Sequence, residues 1–138
     1  MARGYYIRTS PPGAGGGVDI LAGQGLMGFD PPRLALQVNS GDSPMDTTVL
    51  HQLLGAMKNV DADQGLLVVA LGGFKRTVLA NKNAHFFNVR LWHAQRLLNE
   101  LRACYDLLSD EWRRRIPLKR LWILDPGGTV DAGMAETP

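Results

Sequence analysis

Asp19 lies in the short apolar run Val18-Asp19-Ile20-Leu21-Ala22, where an ionised carboxylate is costly unless a cation, a metal or several donors meet it. Gln37 and Asn39 stand two residues apart near the end of Arg33-Leu34-Ala35-Leu36-Gln37-Val38-Asn39. In an extended chain their side chains therefore share one face. If a hairpin brings Asp19 beside them, its carboxylate, the Gln37 amide oxygen and the Val38 carbonyl form a hard-oxygen set suited to Mg²⁺. A metal held this way lowers the pKa of a bound water and so serves hydrolysis. The same residues also fit a plainer role, with Asp19 capping a loop amide while Gln37 and Asn39 end an edge strand.

The elements that must position these groups follow from period and punctuation. Gly4 to Thr9 is aromatic and β-branched and is closed by Ser10-Pro11-Pro12-Gly13, so it reads as a strand. Val18 to Ala22 and Arg33 to Val38 are further extended runs, and compact Gly/Pro connections join the three as an antiparallel meander. Asp46 then offers an N-cap, and Val49, Leu50, Leu53, Leu54 and Met57 repeat at helical spacing. Gly65 to Leu71 is nearly all apolar without alternation, which predicts an internal strand, parallel to the one before the helix. A short helix within Phe74 to Ala84, a strand at Phe87 to Trp92, a helix from His93 to Leu108 and a short helix at Ser109 to Arg115 follow. An extended piece at Leu121 to Leu124 ends the folded part. The fold class is α/β, a mixed sheet of four to five strands flanked by helices, with one domain over residues 1–125 and a disordered Gly-rich tail at 126–138.

Composition limits the alternatives. At 138 residues the chain suits one core, and 45% hydrophobic with 20% charged residues excludes wholesale disorder and an all-coiled-coil chain. The longest apolar run, Leu66 to Leu71, is too short for a membrane-spanning helix. No signal peptide is visible and Cys104, the lone cysteine, is expected to be a small core residue on a helix, so a cytoplasmic setting is expected. The net charge of +2 is mild, yet twelve of the fifteen Lys and Arg residues follow position 57, five of them within Arg113 to Arg120. That run fits a solvated helix end or a phosphate-binding patch. His51, His85 and His93 lack metal-ligand spacing. The glycines at 13 and 15–17 precede neither a helix nor a GK[ST] motif, which excludes a phosphate cradle and gives no support to nucleotide hydrolysis. Trp92, Trp112 and Trp122 are expected in the core or an interface.

The segments Gly15-Gly16-Gly17-Val18-Asp19-Ile20-Leu21-Ala22-Gly23, Gln37-Val38-Asn39-Ser40, Asp63-Gln64-Gly65-Leu66-Leu67-Val68, Gly72-Gly73-Phe74-Lys75-Arg76 and Arg90-Leu91-Trp92, in this order, resemble the Mrr-type restriction endonuclease domain of the PD-(D/E)xK nuclease superfamily. The resemblance runs from about Gly4 to about Leu124. It implies a restriction-endonuclease-like core that cleaves DNA with Mg²⁺. It further implies that Asp19 and Gln37, with the Val38 carbonyl, are the metal ligands, and that Asn39 falls at the catalytic lysine.

Two departures shape the expected function. A lysine at that position helps orient or activate the attacking water and offsets charge on the phosphate; neutral Asn39 cannot supply the charge, at an expected cost of about 10²- to 10³-fold in rate. Lys58 and Lys75 are candidates to replace it, and Gln52 is a candidate to face the same pocket. Domains of this type also begin with a Glu-bearing helix, whereas no glutamate precedes Glu100 here. The expected function is Mg-dependent phosphodiester hydrolysis of DNA, impaired at Asn39. The alternative is a catalytically inactive DNA-binding or protein-interaction module of the same fold. Sheet surface left uncovered by the absent helix predicts a homodimer.

Overall fold

In the computed structural model, which describes residues 4–11 and 17–125, the three opening extended runs become β1 (Tyr6–Thr9), β2 (Ile20–Gln24) and β3 (Asp30–Asn39). They pair antiparallel in sequence order, with Thr9 opposite Ile20 and Ile20 opposite Leu36. The chain then enters α1 (Thr47–Asn59), where the Asp46 side chain accepts the Thr48 N–H at 3.0 Å and satisfies one free donor of the first turn. Leu50, Leu53, Ala56 and Met57 are the buried stripe of this helix. They pack on Ala35, Leu67, Val69 and Val89 in one hydrophobic cluster.

The crossover delivers β4 (Gln64–Val69) parallel to β3, with Gln37 opposite Leu67 and Asn39 opposite Val69. After α2 (Arg76–Ala80), β5 (Val89–His93) adds in parallel, completing the order β1-β2-β3-β4-β5. The continuous apolar run is thus the internal strand its composition demands, with Leu67, Val68 and Val69 buried. Helix α3 (Ala94–Cys104) packs against β5 and β4, and Arg96 lies over the Trp92 ring at 5.4 Å. Trp92 alternates with Leu91, which packs toward the α1 cluster. Hence α1 and α3 cover opposite faces of the sheet.

Several expectations require correction. Asp19 precedes β2 instead of lying within it. The predicted helix from His93 to Leu108 stops at Cys104 and tightens into a 3₁₀ turn, Tyr105–Leu107, before α4 (Asp110–Arg115). Leu121 to Leu124 joins no strand and is exposed; its apolar residues meet no sheet edge, so propensity alone does not make it a strand. Trp112 is half exposed and Trp122 fully exposed, so neither is a core residue. The expected tail at 126–138 lies outside the described residues, as do the glycines at 13, 15 and 16. Among the described residues, no helix is long and apolar enough to cross a membrane.

Candidate active site

The β2–β3 pair positions the site through a local irregularity. Ile20 is the register partner of Leu36, yet the Asp19 N–H also donates to the Leu36 carbonyl at 2.8 Å. Asp19, just before β2, and Ile20, its first residue, thus both oppose Leu36, a bulge-like geometry in addition to the register shift between Ala22 and Gln24. The Asp19 carboxylate consequently reaches along β3 and accepts the Val38 N–H at 2.7 Å. Gly17, which begins the approach to Asp19, has φ +91° and lies against α1 at Ala56 and the Gln52 carbonyl. A side chain there would be strained by its backbone angle.

Gln37 and Asn39 alternate with Leu36 and Val38 on β3 and share the face of Ala35, which is wholly buried under α1. The Gln37 amide oxygen is buried and has no hydrogen-bond partner. Asn39 behaves differently, because its Oδ1 accepts the Gly41 N–H at 2.7 Å and closes an Asx turn. Its backbone carbonyl accepts the Ala70 N–H at 3.0 Å and so faces β4. By strand alternation the Val38 carbonyl faces the other way, toward the hairpin and Asp19.

Of the four residues singled out in the sequence, Asp19 is bonded to the Val38 N–H, while Gln37 and Asn39 lie on the α1 face of the same stretch of β3. The other candidates are placed as follows. Lys58 is exposed in the last turn of α1, and that helix runs back along the sheet from the end where Asn39 lies. Lys75 caps α2 and lies 4.0 Å from Asp46, the N-cap of α1. The Gln52 side chain is exposed, although its backbone borders Gly17. His51 and His93 are exposed and His85 lies in the turns before β5; among the described residues no group of three His, Cys, Asp or Glu side chains is placed to share a metal.

Two supporting features escaped sequence reading. The chains leaving β3 and β4 are joined by a parallel bridge between Met45 and Phe74, with the Met45 N–H donating to the Gly73 carbonyl and the Lys75 N–H donating to the Met45 carbonyl, both at 2.9 Å. Gly72 lies so close to Ser43 that a Cβ would overlap the Ser43 carbonyl. The only sequence signal was the Gly72-Gly73 pair, which marks a turn without naming its neighbour.

A mixed sheet in which an antiparallel hairpin presents an aspartate beside the end of a strand that continues through a helix into parallel strands defines a restriction-endonuclease-like nuclease core. Residues 1–101 match the family model Mrr_cat, described as Restriction endonuclease, and the chain belongs to that family. No curated protein and no solved structure matches the chain significantly.

Proposed function

We propose that this domain hydrolyses DNA phosphodiester bonds with a divalent cation, Mg²⁺ by the hardness of its ligands, at the notch between Asp19 and the end of β3. The observation that carries this reading is the buried Gln37 amide oxygen without a partner, a hard acceptor that a divalent cation would satisfy. The residues present fit such an ion: the Asp19 carboxylate, the Gln37 Oε1 and the Val38 carbonyl are all oxygen donors at the same strand end. When bound, the cation would lower the pKa of a coordinated water and neutralise charge on the phosphate.

The protein's own contributions are distinct. Asp19 is oriented by the Val38 N–H, which fixes one carboxylate oxygen and leaves the other for a ligand. Asn39 can donate a hydrogen bond through Nδ2, but its oxygen is committed to Gly41 and it carries no charge. Catalysis is therefore impaired relative to a site with an ammonium at this position. Plasmid nicking tests the proposal: supercoiled DNA with Mg²⁺ or Mn²⁺ should be nicked by the wild type, and Asp19→Ala should abolish the activity. Intact plasmid with both the wild type and Asn39→Lys would leave DNA or protein binding without cleavage as the function of the fold.

A further inference from the structure

Beyond residue 101, where the family match ends, the chain builds a second charged feature remote from the notch. Helix α3 starts directly after β5, at the strand end aligned through Val69 with Asn39. Its eleven residues carry the chain about 16 Å away at 1.5 Å per residue. There the Tyr105 hydroxyl donates to the Ile116 carbonyl at 2.7 Å and accepts the Leu118 N–H at 3.0 Å. That pin folds the segment after α4 back onto the end of α3. It gathers Arg102, Lys119 and Arg120 around a cavity of about 580 Å³, also lined by Tyr105 and Asp106.

The charge of this surface is not internally cancelled. Asp106 neutralises Arg120 at 2.7 Å, and Asp110 neutralises Arg113 at 3.0 Å. Among the described residues Arg102, Arg114 and Lys119 have no carboxylate within ion-pair distance, and Arg115 stacks over Trp112 at 4.7 Å. Exposed cations from separate segments, held by one buried-side hydroxyl hub, suit a repeated anion better than an isolated one. We propose that Arg102 and Lys119 bind backbone phosphates of duplex DNA at a distance from the notch. The ligand class rests on the nuclease reading. With phosphates 3.4 Å apart along each strand, a duplex touching both places would span about five base pairs.

The test is anisotropy of a short fluorescent duplex in EDTA, titrated with salt. For the full wild-type chain the logarithm of affinity should fall linearly with the logarithm of salt. R102A/K119A should flatten the slope by about 1 to 2 and weaken low-salt binding about tenfold or more, regardless of sequence. R102K/K119R should keep the wild-type slope, since both substitutions preserve charge at exposed positions. An unchanged slope in R102A/K119A, or no salt-dependent binding by the wild type, overturns the proposal. Asp19→Ala, which spares these cations, separates the two readings. Nicking lost in Asp19→Ala with an unchanged slope in R102A/K119A sinks the patch alone. A flattened slope with no nicking by the wild type sinks the hydrolysis reading alone.

Discussion

The carboxylate of Asp19 and the backbone N–H of Val38 meet at 2.7 Å, tying the approach to β2 to the end of β3. This bond gives Asp19 a structural role beside any chemical one. Asp19→Asn keeps an acceptor oxygen and should unfold within about 0.5 kcal/mol of the wild type. Asp19→Ala leaves the Val38 donor without its partner and should cost about 1 kcal/mol, lowering Tm by about 4 °C. Both should lose nicking activity. Thermal unfolding beside plasmid nicking distinguishes the effects, and equal stability of Asp19→Ala and wild type would show that the bond contributes nothing.

Asn39→Lys should raise the nicking rate by about 10²- to 10³-fold, because an ammonium stabilises charge developing on the phosphate. It should also cost about 1 kcal/mol of stability, since the Gly41 N–H loses its side-chain acceptor. Single-turnover nicking and chemical denaturation measure the two changes. A faster enzyme with unaltered stability would mean that the Asx turn is dispensable.

Gln37 offers an oxygen but no charge, so Gln37→Glu should tighten Mn²⁺ binding by roughly tenfold, while Gln37→Leu should weaken it to a similar degree. Isothermal titration of the metal-free chain reads both. Removal of the metal by EDTA should stop nicking in every variant. Identical Mn²⁺ affinities across the three proteins would exclude Gln37 from the ligand set.

The face of the sheet opposite α1 carries Ile7, Ala22 and Leu34 in register, and Ile20 beside Leu36. Ile7 is 49% exposed and Val38, on the same face of β3, is 44% exposed. A homodimer covering this surface is the expected state, and Ile7→Lys should shift it to monomer without loss of fold. Light scattering at micromolar concentration checks this. A wild-type monomer would remove the dimer.

Gly72→Ala should destabilise the fold by about 2 kcal/mol, because its methyl group overlaps the Ser43 carbonyl and one of the two loops must move. Gly55→Ala is the control: it is exposed on α1 with no atom near its missing Cβ. That substitution should be neutral or stabilising, through helix propensity. Denaturant midpoints compare the pair directly.

The parallel core was legible because burial on both faces removes alternation, as in Leu67-Val68-Val69, and because Leu50, Leu53 and Met57 repeat at helical spacing. That a hairpin brings Asp19 alongside the end of β3 was legible in the sequence, yet the means was not. A bulge is a backbone hydrogen-bonding event between Asp19 and Leu36, and no side chain announces it. The Asn39 to Gly41 turn was likewise hidden, because an asparagine at a strand end fits several local bonds equally. The break after Cys104 was missed for another reason: helical spacing continues through Tyr105 and Leu108 even where the backbone tightens. Leu121 to Leu124 shows the converse error, a sequence with strand preference and no neighbouring edge to satisfy it.

The bridge between Met45 and Phe74 stitches the two outgoing chains together before either turns into its helix. The two connections beside Asn39 are thereby held to each other by backbone hydrogen bonds, which favours a mouth whose shape is set in advance of any encounter. Recognition there is expected to select molecules that already suit a rigid opening, with little of the ordering cost that a closing flap would impose.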